Sequence, residues 1–386
     1  MALLSSTAAS KRNLAPSISP GVLFSTSKLS RNSRGFQLPN NSFANRRMSM
    51  STTSSVVKAA ADVRFDAEVA SDVATSTHEV WAEFSEKVSG EWDGYGADFT
   101  VDGKPMELPE YVVPEAYKEW EVKVFDWQTQ CPTLAQKAEE DASLFYKLIK
   151  LLPTVGCEAD AATRYTIDER NVGGERNGVA AFAYQGTGSY VAIWPGEEKP
   201  GMSKMLELEH CLVDPRNKEV RVRVVQVVSV DNLKFVLRNI RVFCEQWYGP
   251  FRNGDQLGGC SIRDSSFAAT DALKGSLVNG VWRISSAIAN FEIPSHKCLQ
   301  GLLGERLHEN VRNEKDLIFL PRQLWCSLKE TENGGTYGEV GWLLDQGQAI
   351  TSRCIFSSDS KLKGTYSKFN THNHRFADKS YPTPLV

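Results

Sequence analysis

The pentapeptide Val88-Ser89-Gly90-Glu91-Trp92 returns 190 positions later as Val278-Asn279-Gly280-Val281-Trp282, so V-[SN]-G-x-W stands twice in one chain. The segments that follow each copy alternate with period two, as strands do when successive side chains point to opposite faces. The clearest case is Leu206, Leu208, His210 and Leu212 alternating with Glu207, Glu209 and Cys211. The turn Asp214-Pro215-Arg216-Asn217 then leads to Val220, Val222 and Val224 alternating with Arg221 and Arg223. This predicts a hairpin with one solvated face, on which Glu209 opposes Arg221 and Glu207 opposes Arg223. Further strands are expected at 161–168, 179–184, 189–194, 224–230 and 234–244. After the second copy they are expected at 281–293, 316–320, 323–329, 337–344, 350–356 and 362–369. Consecutive strands with short connections describe an antiparallel meander, the pattern of an up-and-down barrel. A meander that restarts predicts two barrels in tandem.

Three segments read as helices. Ser76-Thr77-His78-Glu79 has the form of a capping box, and Val80, Trp81, Phe84 and Val88 follow it at helical spacing. Leu144, Phe145, Leu148, Ile149 and Leu152 suggest a second helix over 134–152, stopped by Pro153. Leu299, Leu302, Leu303, Leu307 and Val311 suggest a third over 297–311.

The glycine and tryptophan of the repeated motif have a structural rationale. Gly90 and Gly280 let the chain pass closely at the barrel entrance, while Trp92 and Trp282 close the floor and need a partner for the indole N–H. Lipocalins and the wider calycin group begin their first strand in the same way, with an arginine packed over the tryptophan. Arg241 and Arg353 are the expected arginines.

Residues 1–61 hold eight basic residues and no acidic one, and residues 1–58 hold fourteen serines. That is the composition of an organelle transit peptide, without the apolar core of a secretory signal. Val57-Lys58-Ala59-Ala60 resembles a stromal processing site, which places the cut near Ala59 and the mature protein in the chloroplast stroma; mitochondrial import is the rival reading. Beyond residue 61 the balance is 36 basic against 47 acidic residues, or −11. A body of that charge repels phosphate backbones and argues against nucleic-acid binding. No window has the ~18 apolar residues of a spanning helix, so no integral membrane association is expected. The expected division is 1–59 transit peptide, 60–248 first barrel with its leading helices, 249–371 second barrel, and 372–386 tail.

Signatures of catalysis are missing. There is no phosphate-binding loop, nucleophile elbow or zinc-protease helix, and Gly94/Gly96 and Gly186/Gly188 lack the third glycine of a dinucleotide loop. The eight cysteines contain no C-x-x-C pair and read as reduced core thiols. His372-Asn373-His374 offers two imidazoles without an identifiable third ligand. His210 and Cys211 are strand neighbours on opposite faces, so His210 reads as structural. No catalytic, cofactor or metal residue is expected, and the chain is not expected to be an enzyme; an active site would require polar groups converging at a barrel mouth. Trp247, Tyr248 and Phe251 form an apolar cluster between the two units and are the candidate partner-binding residues, with filling of the seam between the barrels as the alternative. Pro321-Arg322-Gln323-Leu324-Trp325 reads first as strand entry.

The serine-rich leader, the W-x-x-F helix before V-S-G-E-W, Gly258-Gly259-Cys260-Ser261-Ile262-Arg263 with Ser266-Phe267, the second V-N-G-V-W and the Gly341-Trp342-Leu343-Leu344 strand together carry a resemblance. On them the chain resembles the plant and cyanobacterial calycin-like proteins long catalogued as a domain of unknown function. The resemblance spans 60–370 and implies a mainly β fold of two tandem calycin-like antiparallel β-barrels with a few short helices. It further implies a stromal assembly chaperone for the catalytic head of chloroplast ATP synthase, contacting its β and γ subunits. No family motif assigns that contact to residues. The alternative the fold suggests is a carrier holding a tetrapyrrole, carotenoid or lipid in a barrel lumen.

Overall fold

Trp81, Phe84 and Val88 recur on one side of a helix over residues 79–88, here α1, and all three are buried. The computed structural model describes residues 79–136, 142–155, 163–196, 203–255, 266–291, 298–345 and 347–372, all within the unit Val63–Val386. The leader, its processing site, Cys157, Cys260, the run Gly258–Arg263 and the tail from residue 373 lie outside the described residues.

After α1 come β1 (Glu91–Phe99), α2 (Glu115–Glu119), β2 (Asp126–Gln130), β3 (Thr133–Gln136), β4 (Ser143–Leu151), β5 (Arg164–Val172), β6 (Ala181–Tyr184) and β7 (Tyr190–Pro195). The long strands β8 (Lys204–Val213), β9 (Val220–Asp231) and β10 (Lys234–Gly249) follow. The second half is β11 (Gly280–Asn290), β12 (Leu299–Gly301), β13 (Leu303–Arg312), β14 (Ile318–Leu320), β15 (Leu324–Glu330), β16 (Thr336–Asp345), β17 (Gln348–Phe356) and β18 (Leu362–His372). The chain is mainly β, with two curled, half-barrel sheets and few helices. The first sheet runs β12-β6-β7-β8-β9-β10-β1-β2-β4-β3, with β5 on β4; the second runs β13-β11-β18-β17-β16-β15-β14. All pairings are antiparallel except β12 on β6, a short parallel strand that the second half lends to the first sheet.

The two later helices expected from sequence are strands. Residues 143–151 form β4, whose side chains alternate between the barrel interior and the outer face, and 303–312 form β13. Both segments are apolar enough to satisfy either period. Pairing with β5 along the whole of β4, and with β11 along β13, supplies backbone partners that an isolated helix would have to supply itself.

The hairpin of β8 and β9 also differs from expectation. Glu209 stands opposite Val225 and Glu207 opposite Val227, while Arg221 and Arg223 face Val213 and Cys211. The register is four residues away from the charge-paired one, and the charged face is not solvated. Glu209, Arg221 and Arg223 are buried. Both faces of this hairpin are covered. Leu206, Leu208 and Val228 pack with Cys354 and Phe356 of the second sheet, and Leu212, Val222 and Val224 pack with Leu324, Cys326 and Val340. The other face turns into the first half-barrel.

Polar contacts pin the two sheets together. The Gln226 amide donates to the carbonyl oxygen of Ser327 at 3.0 Å, and His210 Nδ1 lies 2.6 Å from Ser352 Oγ. Burial holds His210 down to about 4, which keeps it neutral within this seam. That is the structural histidine expected. The tryptophans of the two motifs belong to separate clusters, Trp92 with α1 and Trp282 with Leu273, Val278 and Trp325.

Candidate functional site

The repeated motif folds the same way twice. The Trp92 indole N–H donates to the carbonyl oxygen of Val88 at 2.9 Å, and that of Trp282 to Val278 at 2.8 Å, so the valine four residues back closes each loop. The intervening glycines have φ of 143° and 125°, backbone that a side chain resists. At Gly90 there is also no room: a Cβ would stand 2.1 Å from Trp247 Nε1.

An arginine covers each indole, but not the expected one. Arg221 Cζ lies 4.1 Å from the Trp92 ring centroid, and Arg312 lies 4.9 Å from that of Trp282. Arg241 instead pairs with Glu207 at 3.0 Å near the far end of the sheet, and Arg353 lies over Tyr337 and pairs with Glu339 at 2.5 Å. Strand register decides this. Trp92 is level with Trp247 on β10, and Arg241 is six residues further along that strand, beside Asp98.

Inside the first half-barrel the charges form one closed set. Glu245 accepts from Arg221 at 2.6 Å and from Arg223 at 2.7 Å, and Arg223 reaches Glu209 at 2.9 Å. Glu209 also accepts from the hydroxyls of Tyr146 at 2.5 Å and Tyr190 at 2.8 Å, and from the Trp194 indole at 2.8 Å. Burial raises both glutamic acids, yet the arginines outweigh it and leave them below the ordinary carboxylate value. Each charge of this set has an opposite partner, the condition under which such groups are tolerated in a core. Opposite Phe243, Gly96 has no Cβ because one would sit 2.4 Å from that ring.

The remaining interior is aromatic. From α1, Trp81 and Phe84 enter the cluster formed by Tyr146, Phe182, Tyr184 and Tyr190, and the Trp81 indole donates to the carbonyl oxygen of Gln136 at 2.8 Å.

No family model matches the chain, and no curated protein matches it. Among solved structures the chain is similar to a protein of unknown function from the DUF3598 family of Nostoc punctiforme, at 12% identity and a TM-score of 0.44, over 76% of this chain and 98% of that one. It is also matched to outer membrane phospholipase A from Escherichia coli, at 8% identity and a TM-score of 0.18, over 77% of this chain and 98% of that one. Likeness of this degree leaves activity and partners to the chain's own residues.

Among the described residues two cavities stand out, the second of them lined in part by Arg221 and Glu245 of the charge set. One, of about 470 Å³, opens at the end of β1 away from α1 and is lined by Asp98, Lys150, Asp168 and Arg241 together with Met106, Leu108 and Trp127, the Lys150 ammonium standing 5.3 Å from the Trp127 ring centroid. Burial lowers the Lys150 ammonium, with Asp98 acting against it. The other, of about 640 Å³, lies where the sheets meet, between Asp93, Tyr95 and Arg216 on one side and Arg322 and Trp342 on the other. Here burial pushes Asp93 up to about 6. Arg322 and Gln323 both adopt left-handed backbone in the turn between β14 and β15, so Pro321–Trp325 is strand entry as expected.

The candidate partner residues separate. Trp247 is half-buried, donates to the carbonyl oxygen of Ser89 at 3.2 Å and packs on the α1 cluster, which makes it part of the barrel floor. Phe251 is half-buried as well. Tyr248 is 52% exposed, with Arg252 over its ring. Among the described residues no group of three His, Cys, Asp or Glu is placed to hold a metal ion, and no helix is long and apolar enough to cross a membrane.

Sequence reasoning missed Glu209, Arg221, Arg223 and Glu245 as interior residues. The signal was present in β9, where Val224-Val225 and Val227-Val228 are apolar on both faces; a strand with one wet face would not be.

Proposed function

We propose that this protein is a stromal assembly factor that promotes assembly of the chloroplast ATP synthase catalytic head by binding its β and γ subunits transiently. The observation that carries the reading is the filled half-barrel: α1 and the Glu209–Arg223–Glu245–Arg221 set occupy the space in which a carrier would hold its cargo. A rigid, filled β scaffold offers its outer surface to partners. The leader composition and the resemblance over 60–370 supply the compartment and the client.

Affinity capture of the tagged protein from stroma tests this. Recovery of β and γ subunits without the complete synthase is expected. Recovery of neither subunit, or equal recovery of the finished enzyme, would overturn the assignment, and pigment or lipid co-purifying in stoichiometric amount would favour carriage.

A further inference from the structure

The excursion between β1 and β2, residues 100–125, is the most exposed aromatic part of the described chain. Tyr111 is 77% exposed and Trp120 59% exposed, far beyond what packing requires of residues this large. Neither is loosely held. The Tyr111 hydroxyl lies 2.9 Å from that of Tyr165, whose ring stacks at 4.9 Å on the buried Trp127. Trp120 stands edge-on to Tyr117 at 6.0 Å, and the Tyr117 hydroxyl donates to the carbonyl oxygen of Thr154 at 3.0 Å. Each ring thus has a tether, Tyr111 to β5 and Trp120 through Tyr117 to the loop after β4, which reduces the freedom lost when something covers them.

The charge around them is net negative. Residues 100–125 contain six acidic and three basic side chains. Lys118 is paired with Glu115 and Lys123 with Glu107. Glu110 beside Tyr111, and Glu119 and Glu121 on either side of Trp120, are all exposed. Exposed aromatic rings with carboxylates beside them in the chain attract ammonium and guanidinium groups both by cation–π contact and by charge, and disfavour phosphate and anionic lipid.

We propose that this excursion is a docking surface for a basic segment of a client polypeptide, one in which lysine or arginine alternates with apolar residues. The apolar residues cover the Tyr111 and Trp120 rings, and the cations meet Glu110, Glu119 and Glu121. The proposal deepens the assembly-factor reading and rests on it only in that the client is another polypeptide.

The test uses the full chain and a fluorescein-labelled peptide of repeating Leu-Lys pairs, with a Leu-Glu peptide as control, read by fluorescence anisotropy. The Leu-Lys peptide is expected to bind and the Leu-Glu peptide not to. Tyr111→Ala with Trp120→Ala should weaken binding about tenfold or more, the loss expected of exposed aromatic anchors. Glu110→Lys, Glu119→Lys and Glu121→Lys together should weaken it similarly and flatten its salt dependence. Reversing Glu175, Glu330 and Glu332, which are equally exposed but lie elsewhere in the chain, should change it by less than about twofold. Thermal midpoints close to the parent's would show that the variants fold. Binding unaffected by the aromatic variant, or weakened equally by the remote reversal, would overturn the proposal. Capture from stroma separates the two readings. A variant that still recovers β and γ subunits removes this surface and leaves the assembly role standing, whereas a parent protein that recovers neither removes that role while the peptide result stands.

Discussion

The guanidinium of Arg221 lies 4.1 Å from the centroid of the Trp92 ring while its Nε donates to Glu245 at 2.6 Å. One side chain thus joins the barrel floor to the buried charge set, and Arg312, Trp282 and Glu339 repeat the relationship in the second sheet at longer distances. The charge set is therefore part of how the half-barrel closes.

Glu245→Gln should be far more damaging than its size suggests. It leaves Arg221 and Arg223 buried with only Glu209 to balance them, a loss of about 3–5 kcal/mol. Asp168→Asn removes a partner of Arg170 at the exposed rim and should cost about 1 kcal/mol or less. Urea midpoints of the two variants at unchanged slope measure the difference.

The two motif glycines should respond unequally. Gly90→Ala meets both an unfavourable φ and the Trp247 ring 2.1 Å away, and should cost about 3 kcal/mol or more. Gly280→Ala meets the unfavourable φ of 125° and should cost about 1–3 kcal/mol. Thermal melting of both variants ranks them; equal losses would mean that Trp247 yields.

Burial pushes Asp93 and Asp126 up to about 6 each. A carboxyl raised in the folded state binds its proton more tightly there than in the unfolded chain. The stability it contributes is present below the ordinary carboxylate range and is lost as pH rises through about 6. Glu209 and Glu245, held below their ordinary value by the arginines, act oppositely and lose their contribution as pH falls below the carboxylate range. Stability should therefore rise from neutral pH to a maximum in the mildly acid range and then fall. In Asp93→Asn with Asp126→Asn the rise on the neutral side should disappear; its persistence in urea titrations at several pH values would reassign it to other groups.

Cys211, Cys326 and Cys354 are buried, and burial pushes their thiols up to about 12. At mildly alkaline pH an aromatic disulfide reagent should leave them unlabelled in the folded protein and label them in urea, because attack requires an accessible thiolate. Peptide mapping by mass spectrometry reads the sites. Rapid labelling of native Cys211 would show that the interior opens locally.

Much of the strand map was legible. Period-two alternation placed β6, β7, β9, β10 and most of the second sheet, and helical spacing placed α1. It failed at β4 and β13 because Leu, Ile and Phe at mixed intervals fit both periods, and only a neighbouring strand selects one. The motif itself marked the barrel floor at Trp92 and Trp282. Which arginine covers each indole depends on register between strands far apart in sequence, and residue spacing carries no record of that.

The order of residues alone determined that this chain alternates in long segments, that it repeats one turn-and-tryptophan opening, and that its two strand faces differ in charge. Tertiary structure decided which face is inside. Alternation separates two faces but cannot say which one water reaches. Here a second sheet covers the leucine and valine face, and the glutamate and arginine face closes on itself, its charges cancelling across strands that meet only in the folded protein.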